Sequence, residues 1–319
     1  MTQHQTKGLF RVHHHSNVIS VLTQVLLHLD PIMNRYNNYN INSHSSKIES
    51  EMLQAFDSIG RKVWNNQELE IDISEFYSFF SLETWDKFID LEEMFQFTIT
   101  NCKLLNQYFN TTEKRTTTFE ICPTCQIDYG KKENISNYCT FIYSKDKWKQ
   151  FRETNEIYQD PIPFIKGYHC TSCYSFLEIM LKSTIIEAPE ILLLKLHSSI
   201  ENNYFLYEFN VHEHVKLLVD ESIDNSHHQE YELVAVVDYY RERGIYGGFF
   251  KNPMNRRWYQ MNAHSIDDFP KLVEDLSCIN STSNFILFFQ KTVERKPIYW
   301  KSVLSNRFVY WDVSFSFTE

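Results

Sequence analysis

Glycine and proline are scarce, at 7 and 8 of 319 residues. That excludes a collagen-like repeat and a Pro/Gly-rich disordered chain. A long apolar run is also missing. The best stretch, Val18 to Leu29, is interrupted by Ser20, Thr23, Gln24 and His28, and a bilayer span needs about 20 consecutive apolar residues. Residues 1–12 lack the apolar segment of a secretory signal, so a soluble, intracellular protein is expected. Positive charge is in deficit: 31 basic against 41 acidic side chains give a net charge of −10. A surface of that sign is a poor match for gripping phosphate backbones. An even cysteine count is absent too. Seven cysteines point to a reducing compartment rather than a disulfide framework.

Core-forming residues are plentiful. The chain is 43% hydrophobic and 16% aromatic, with 25 Phe and 19 Tyr. It shows no repeat at fixed period and no composition shift, so a single domain is expected.

Four of the cysteines stand in two pairs, Cys122-Pro123-Thr124-Cys125 and Cys170-Thr171-Ser172-Cys173. Each C-x-x-C puts two thiolates on one tight turn. Two such turns make a closed tetrahedral set suited to structural zinc, with no open position for substrate. The pairs are 170 − 125 − 1 = 44 residues apart, room for a hairpin with an excursion. The alternatives are four reduced buried thiols, or one pair acting as a redox couple, which would need a βαβ context that is not evident. His169 is a spare ligand that four thiols make unnecessary. Cys102, Cys139 and Cys278 are left over. The run His13–His15 invites a metal reading, but adjacent residues of a strand point to opposite sides, and no third ligand is in view. Lys145, Lys147, Lys149 and Arg152 form a basic strip that could be imagined on RNA, but a charge run of this kind is ordinarily a solvated face.

Along the chain, Val18, Val21, Leu22, Val25, Leu26 and Leu29 recur at helical spacing. Ser16 stands at the N-cap position and Pro31 at the stop. Lys47–Trp64 reads as a second helix, and a third is expected to begin near Asp72 and run through Phe80. Thr116–Ile121 reads as a strand leading into the first cysteine pair. Strands are also expected at Tyr138–Tyr143, Glu190–Leu196, Tyr204–Val211, Tyr231–Val237 and Phe285–Phe289. Glu221–Glu230 reads as an exposed loop. Tyr246–Phe250 and Trp258–Met261 flank a hairpin turn at Asn252-Pro253-Met254-Asn255. Helices first, then a metal-stapled β insertion, then antiparallel strands make an α+β fold.

This order of motifs resembles the ubiquitin-specific proteases. These are papain-like cysteine proteases shaped as a hand, with thumb, palm and zinc-stapled fingers. Gly8-Leu9 with Ser20-Val21-Leu22 resembles the family's opening box, G-L-x-N-x-G-N-T-C-Y-x-N-S-x-L. Asp72-Ile73-Ser74-Glu75-Phe76 resembles its D-A-x-E-F helix, and the two cysteine pairs resemble its finger zinc site. Ala188-Pro189-Glu190-Ile191-Leu192 resembles the strand entered through L-P-x-x-L, and Tyr231–Val237 resembles Y-x-L-x-A-V. Lys251-Asn252 with Trp258-Tyr259 resemble the end of the histidine box, and Phe285–Phe289 the closing strand. The resemblance covers residues 8–291. It implies a helical thumb over 8–115, zinc-binding fingers over 116–185, a β-rich palm over 186–291 and a C-terminal extension over 292–319. Cys122, Cys125, Cys170 and Cys173 would hold the zinc.

The chemistry departs from the family. The opening box puts Ser16 at the nucleophilic cysteine and His14 at the oxyanion-hole asparagine. The histidine box puts Ile245 at the catalytic histidine, and Ala263 falls at the triad acid or amide. A serine hydroxyl needs a general base within hydrogen-bond reach. Isoleucine has no lone pair to accept a proton, and alanine cannot orient a substitute. A lost oxyanion donor costs a further factor of about 10²–10³. The resemblance therefore implies a catalytically inactive scaffold or adaptor that binds protein partners, with ubiquitin or a ubiquitin-like protein among the candidates. The alternative is an active isopeptidase using Ser16 with a non-standard base such as His13, His14, His15 or His264.

Overall fold

The structure is a computed structural model. It describes residues 11–13, 17–32, 47–66, 70–72, 95, 98–99, 102–143, 145–157, 168–196, 211–220, 226–240, 245–261, 270–276, 279 and 284–292. The chain's described part opens with strand β1 (Arg11–His13), helix α1 (Asn17–Leu27) and helix α2 (Lys47–Arg61), which widens into a π-helical turn over Lys62–Asn66. Strand β2 (Glu70–Asp72) lies parallel to β1. Asp72 thus ends a strand, where the sequence pattern suggested the start of a helix. The continuation through Phe80 lies outside the described residues. Helix α3 (Lys103–Phe109) leads into the long strand β3 (Thr111–Phe119).

Next come β4 (Lys131–Tyr138), β5 (Thr140–Tyr143), helix α4 (Lys145–Thr154) and β6 (Glu156–Ile157). The basic strip is thus part of a helix, and its hidden partners explain why. Trp148 and Phe151 are buried while Lys149 is exposed, so the charges are the outer face of an amphipathic element. The short pair β7 (Tyr168–His169) and β8 (Phe176–Leu177) is followed by β9 (Ile179–Glu187) and β10 (Ile191–Leu196). Then come β11 (His214–Asp220), β12 (Ser226–Tyr240), β13 (Ile245–Lys251), β14 (Trp258–Met261), β15 (Lys271–Val273) and β16 (Asn284–Lys291).

The main sheet runs β15-β14-β13-β12-β16-β10-β5, with β11 on β12 and β6 on β11. Its pairs are antiparallel except β10–β5 and β11–β6. The spine is β12, whose first half pairs with β11 and whose second half pairs with β13 and β16. It begins at Ser226, so His227 and His228 belong to a strand and not to the expected loop. Both are exposed, while the partner strand β11 buries Val215, Leu217 and Val219. The strand expected at Tyr204–Val211 falls on residues outside the description, apart from Val211.

The apolar runs of β10 and β16 do not alternate because both faces of the sheet are covered. Ile191, Leu193, Ile286 and Phe288 pack with Val21, Val25 and Ile59 of α1 and α2, while Leu192, Leu194, Phe285, Leu287 and Phe289 pack with Trp148 and Phe151 of α4. A register shift between Leu233 and Ala235 matters to this division. The extra residue turns both Val234 and Ala235 to the face covered by α1 and α2, while Leu233 and Val236 face α4. A separate three-stranded sheet, β4-β3-β9, carries the cysteine pairs at its far end.

Candidate metal centre and cleft

Both C-x-x-C segments fold as the same knuckle. In the first, Cys122 N–H donates to Ile127 O and Gln126 N–H to Cys122 O, each at 2.9 Å. In the second, Cys170 N–H donates to Ser175 O at 2.8 Å and Tyr174 N–H to Cys170 O at 2.9 Å. The residue after each second cysteine turns left-handed, with φ of 58° at Gln126 and 59° at Tyr174. Neither is glycine, and such a backbone costs about 1–2 kcal/mol per residue. The return is that each pair of sulfurs is folded back onto one point.

The knuckles face each other across the gap. All four sulfurs lie within 4.8 Å of one another, with Cys122–Cys173 and Cys125–Cys170 at 3.4 Å. That is too far for a disulfide, whose sulfurs sit about 2.05 Å apart. A tetrahedral ion with arms of about 2.3 Å needs sulfur–sulfur edges of about 3.8 Å, inside the observed range. The four thiols fit one closed ion site. Cys122 and Cys170 are fully buried, beside Leu177. His169 is no part of this set: it is exposed, its Nδ1 lies 3.0 Å from Tyr174 O, and its ring packs on Phe176.

Crowding of four ionisable sulfurs shows in their acidities. The Ser175 hydroxyl is the chief cause that lowers the Cys122 thiol to about 5. The Tyr129 hydroxyl similarly lowers Cys170. Cys125 goes the other way, up to about 12. The Ile127 N–H pulls it down, but burial and the neighbouring Cys170, Cys122 and Cys173 together push harder. A dication at the centre would favour all four thiolates at once. Sequence reading singled out the four cysteines and missed the two hydroxyls. The one legible hint is position: Ser175 is two residues beyond its knuckle and Tyr129 four beyond the other.

The cleft positions are described less fully. Ser16, His14 and Ala263 lie outside the described residues, while Ile245 is the first residue of β13, opposite Tyr240. The frame around them is described. Helix α1 begins at Asn17 and lies on β13: a Cβ at Gly248 would stand 3.2 Å from Val21 Cγ1, and the ring of His28 lies 4.1 Å from that of Phe250. Helix and strand therefore ascend in the same direction, and the start of α1 shares an end of the sheet with Ile245. His28 is buried, its Nδ1 2.7 Å from Gln24 O. The far end of α1 is pinned to β16 by a reciprocal pair: Asp30 N–H donates to Gln290 Oε1 at 3.0 Å, and Gln290 Nε2 donates to Asp30 Oδ2 at 2.9 Å.

No protein-family profile matches the chain, and no curated protein matches it in sequence. Solved structures do match. The chain is similar to a chain of the SAGA Ubp8/Sgf11/Sus1/Sgf73 DUB module bound to ubiquitin aldehyde, at 15% identity and a TM-score of 0.61 over 92% of this chain and 71% of that one. It is also similar to a chain of the SAGA DUB module bound to monoubiquitin, at 16% identity and a TM-score of 0.59 over 90% and 70%. A chain of the yeast SAGA module with a mutant Sgf73 matches at 16% identity and a TM-score of 0.56 over 92% and 70%. The chain thus has a ubiquitin-specific-protease-like fold. A likeness at that identity extends to the fold and leaves function to the site. Among the described residues, no helix is long and apolar enough to cross a membrane.

Proposed function

We propose that this chain is a catalytically inactive relative of the ubiquitin-specific proteases that works as an intracellular protein-binding scaffold or adaptor, its fingers stapled by structural zinc. The observation that carries the reading is Ile245. It opens the strand that lies along α1, at the position where the resemblance expects the imidazole base. Without a base, a helix-end serine stays a neutral hydroxyl and caps the helix instead. Ser16 in place of cysteine, His14 in place of the oxyanion amide and Ala263 in place of the triad acid support the same conclusion.

Zinc is the metal the donor set favours, since four thiolates in a closed tetrahedron select it or an iron–sulfur centre. Cys122, Cys125, Cys170 and Cys173 would hold it, and bound there it supplies cross-linking and not Lewis-acid chemistry. Partner capture would use the concave side of the hand. The similar solved structures bound to monoubiquitin and to ubiquitin aldehyde support ubiquitin or a ubiquitin-like protein as the first partner to test.

The deciding experiment incubates the full chain at high concentration with a ubiquitin–fluorophore conjugate, and titrates labelled ubiquitin in parallel. The expected result is release no faster than buffer. Turnover that disappears in Ser16→Ala would establish the isopeptidase instead.

A further inference from the structure

Two hydroxyls outside the ligand set tie the knuckles together. The Ser175 Oγ lies 2.8 Å from Cys173 Sγ on its own knuckle and 3.1 Å from Cys122 Sγ on the other. The Tyr129 hydroxyl, which follows the first knuckle, lies 3.0 Å from Cys170 Sγ on the second. Each hydroxyl therefore reaches across, over sequence gaps of 53 and 41 residues. Tyr129 Oη also accepts the Thr171 N–H at 2.9 Å and lies 3.0 Å from Thr171 Oγ1. A phenol has one proton and two lone pairs. The backbone N–H occupies one lone pair; facing a thiolate, which only accepts, the phenol would give its own proton to the Cys170 sulfur and take the Thr171 hydroxyl proton on its other lone pair.

The need for these donors follows from charge. Four thiolates around a dication carry a net charge of −2, and two of the sulfurs belong to fully buried residues. A buried charge is tolerated when hydrogen bonds replace water. Once the sulfurs are thiolates they only accept, so both hydroxyls must donate.

We propose that Tyr129 and Ser175 are positioning residues of the metal centre, a crossed pair of hydroxyl donors that offsets the charge of the tetrathiolate and holds the two knuckles on the ion. The proposal rests on the zinc reading above. Partners of this kind set metal affinity by about 10–100-fold each in other sites, and they orient ligands without touching the ion.

The test uses the full chain and the variants Tyr129→Phe, Ser175→Ala and Ser175→Thr. Zinc affinity is measured by competition with a chromogenic chelator, and the absorption spectrum is recorded with cobalt in place of zinc. Tyr129→Phe and Ser175→Ala should each bind zinc about 10-fold or more weakly, while Ser175→Thr stays near the parent. Their sulfur-to-cobalt charge-transfer band should move to longer wavelength, because a thiolate that loses a hydrogen bond gives up its electron more readily. Melting of the metal-free proteins should be alike, which separates the effect from misfolding. Unchanged affinity and an unmoved band in both variants would overturn the proposal and leave the zinc reading standing. A parent that takes up neither zinc nor tetrahedral cobalt would remove the zinc reading itself, and the proposal with it.

Discussion

Gly248 shows how a single missing side chain lets α1 settle on the main sheet. The strand has to let α1 come down onto it, and a Cβ there would press Val21 Cγ1 at 3.2 Å. Val21 is fully buried and β-branched, so it has little rotamer freedom to yield. Gly248→Ala should cost about 1–3 kcal/mol, the usual range for overpacking. Adding Val21→Ala should recover part of that loss, as a double-mutant cycle in urea unfolding would measure. The reason for this glycine was not legible in the sequence, where Gly248 is simply one residue of the strand expected at Tyr246–Phe250. The cysteines were legible, because C-x-x-C is a local pattern with a local geometry. Their hydroxyl partners were not, because contacts 41 and 53 residues apart leave no mark on spacing.

The hairpin of β13 and β14 is held by a knot of charge. Lys251 is mostly buried; its Nζ donates to Glu213 at 2.8 Å and to Glu232 at 3.0 Å, and it lies over the Trp258 ring. Arg256 also pairs with Glu232. Burial alone would raise the Glu232 carboxyl, but the Lys251 hydrogen bond and the charges of Arg256 and Lys251 outweigh it and hold it below its ordinary value. A depressed carboxyl stabilises the fold above its unfolded pKa, and that contribution is lost as pH falls through the folded value. The parent should therefore lose more stability than Glu232→Gln between about pH 5 and pH 3, as paired denaturant titrations would show. Helix α4 makes the complementary point about legibility. Its polar residues dominate the sequence signal, yet Trp148 and Phe151, three apart, are what dock it on the sheet. The hairpin itself was readable from Asn252-Pro253-Met254-Asn255, since turn chemistry is local.

At the scale of the molecule, the described residues form two large cores, one on each face of the main sheet, and a third small one around the sulfurs. The small one holds little besides Leu177, Tyr129 and the cysteines, so on the zinc reading its order should depend on the ion. Stripping the metal with a chelator should expose amides of 121–130 and 168–178 to hydrogen exchange while β12 and β16 keep their protection. A loss of protection spread over the whole main sheet would show that the cysteine-bearing sheet and the main sheet unfold as one unit. The chain alone determined which segments are helix or strand where apolar periodicity is strong, the strand–turn–strand around Asn252-Pro253-Met254-Asn255, and the four paired cysteines, because each of these is written in neighbouring residues. Tertiary structure alone decided that the sheet is buried on both faces, that Val234 joins Ala235 on the face under α1 and α2, and that two hydroxyls cross between the knuckles. Those outcomes depend on what packs against what over long stretches of chain, and burial and hydrogen bonding at that range are not encoded in any one window of sequence.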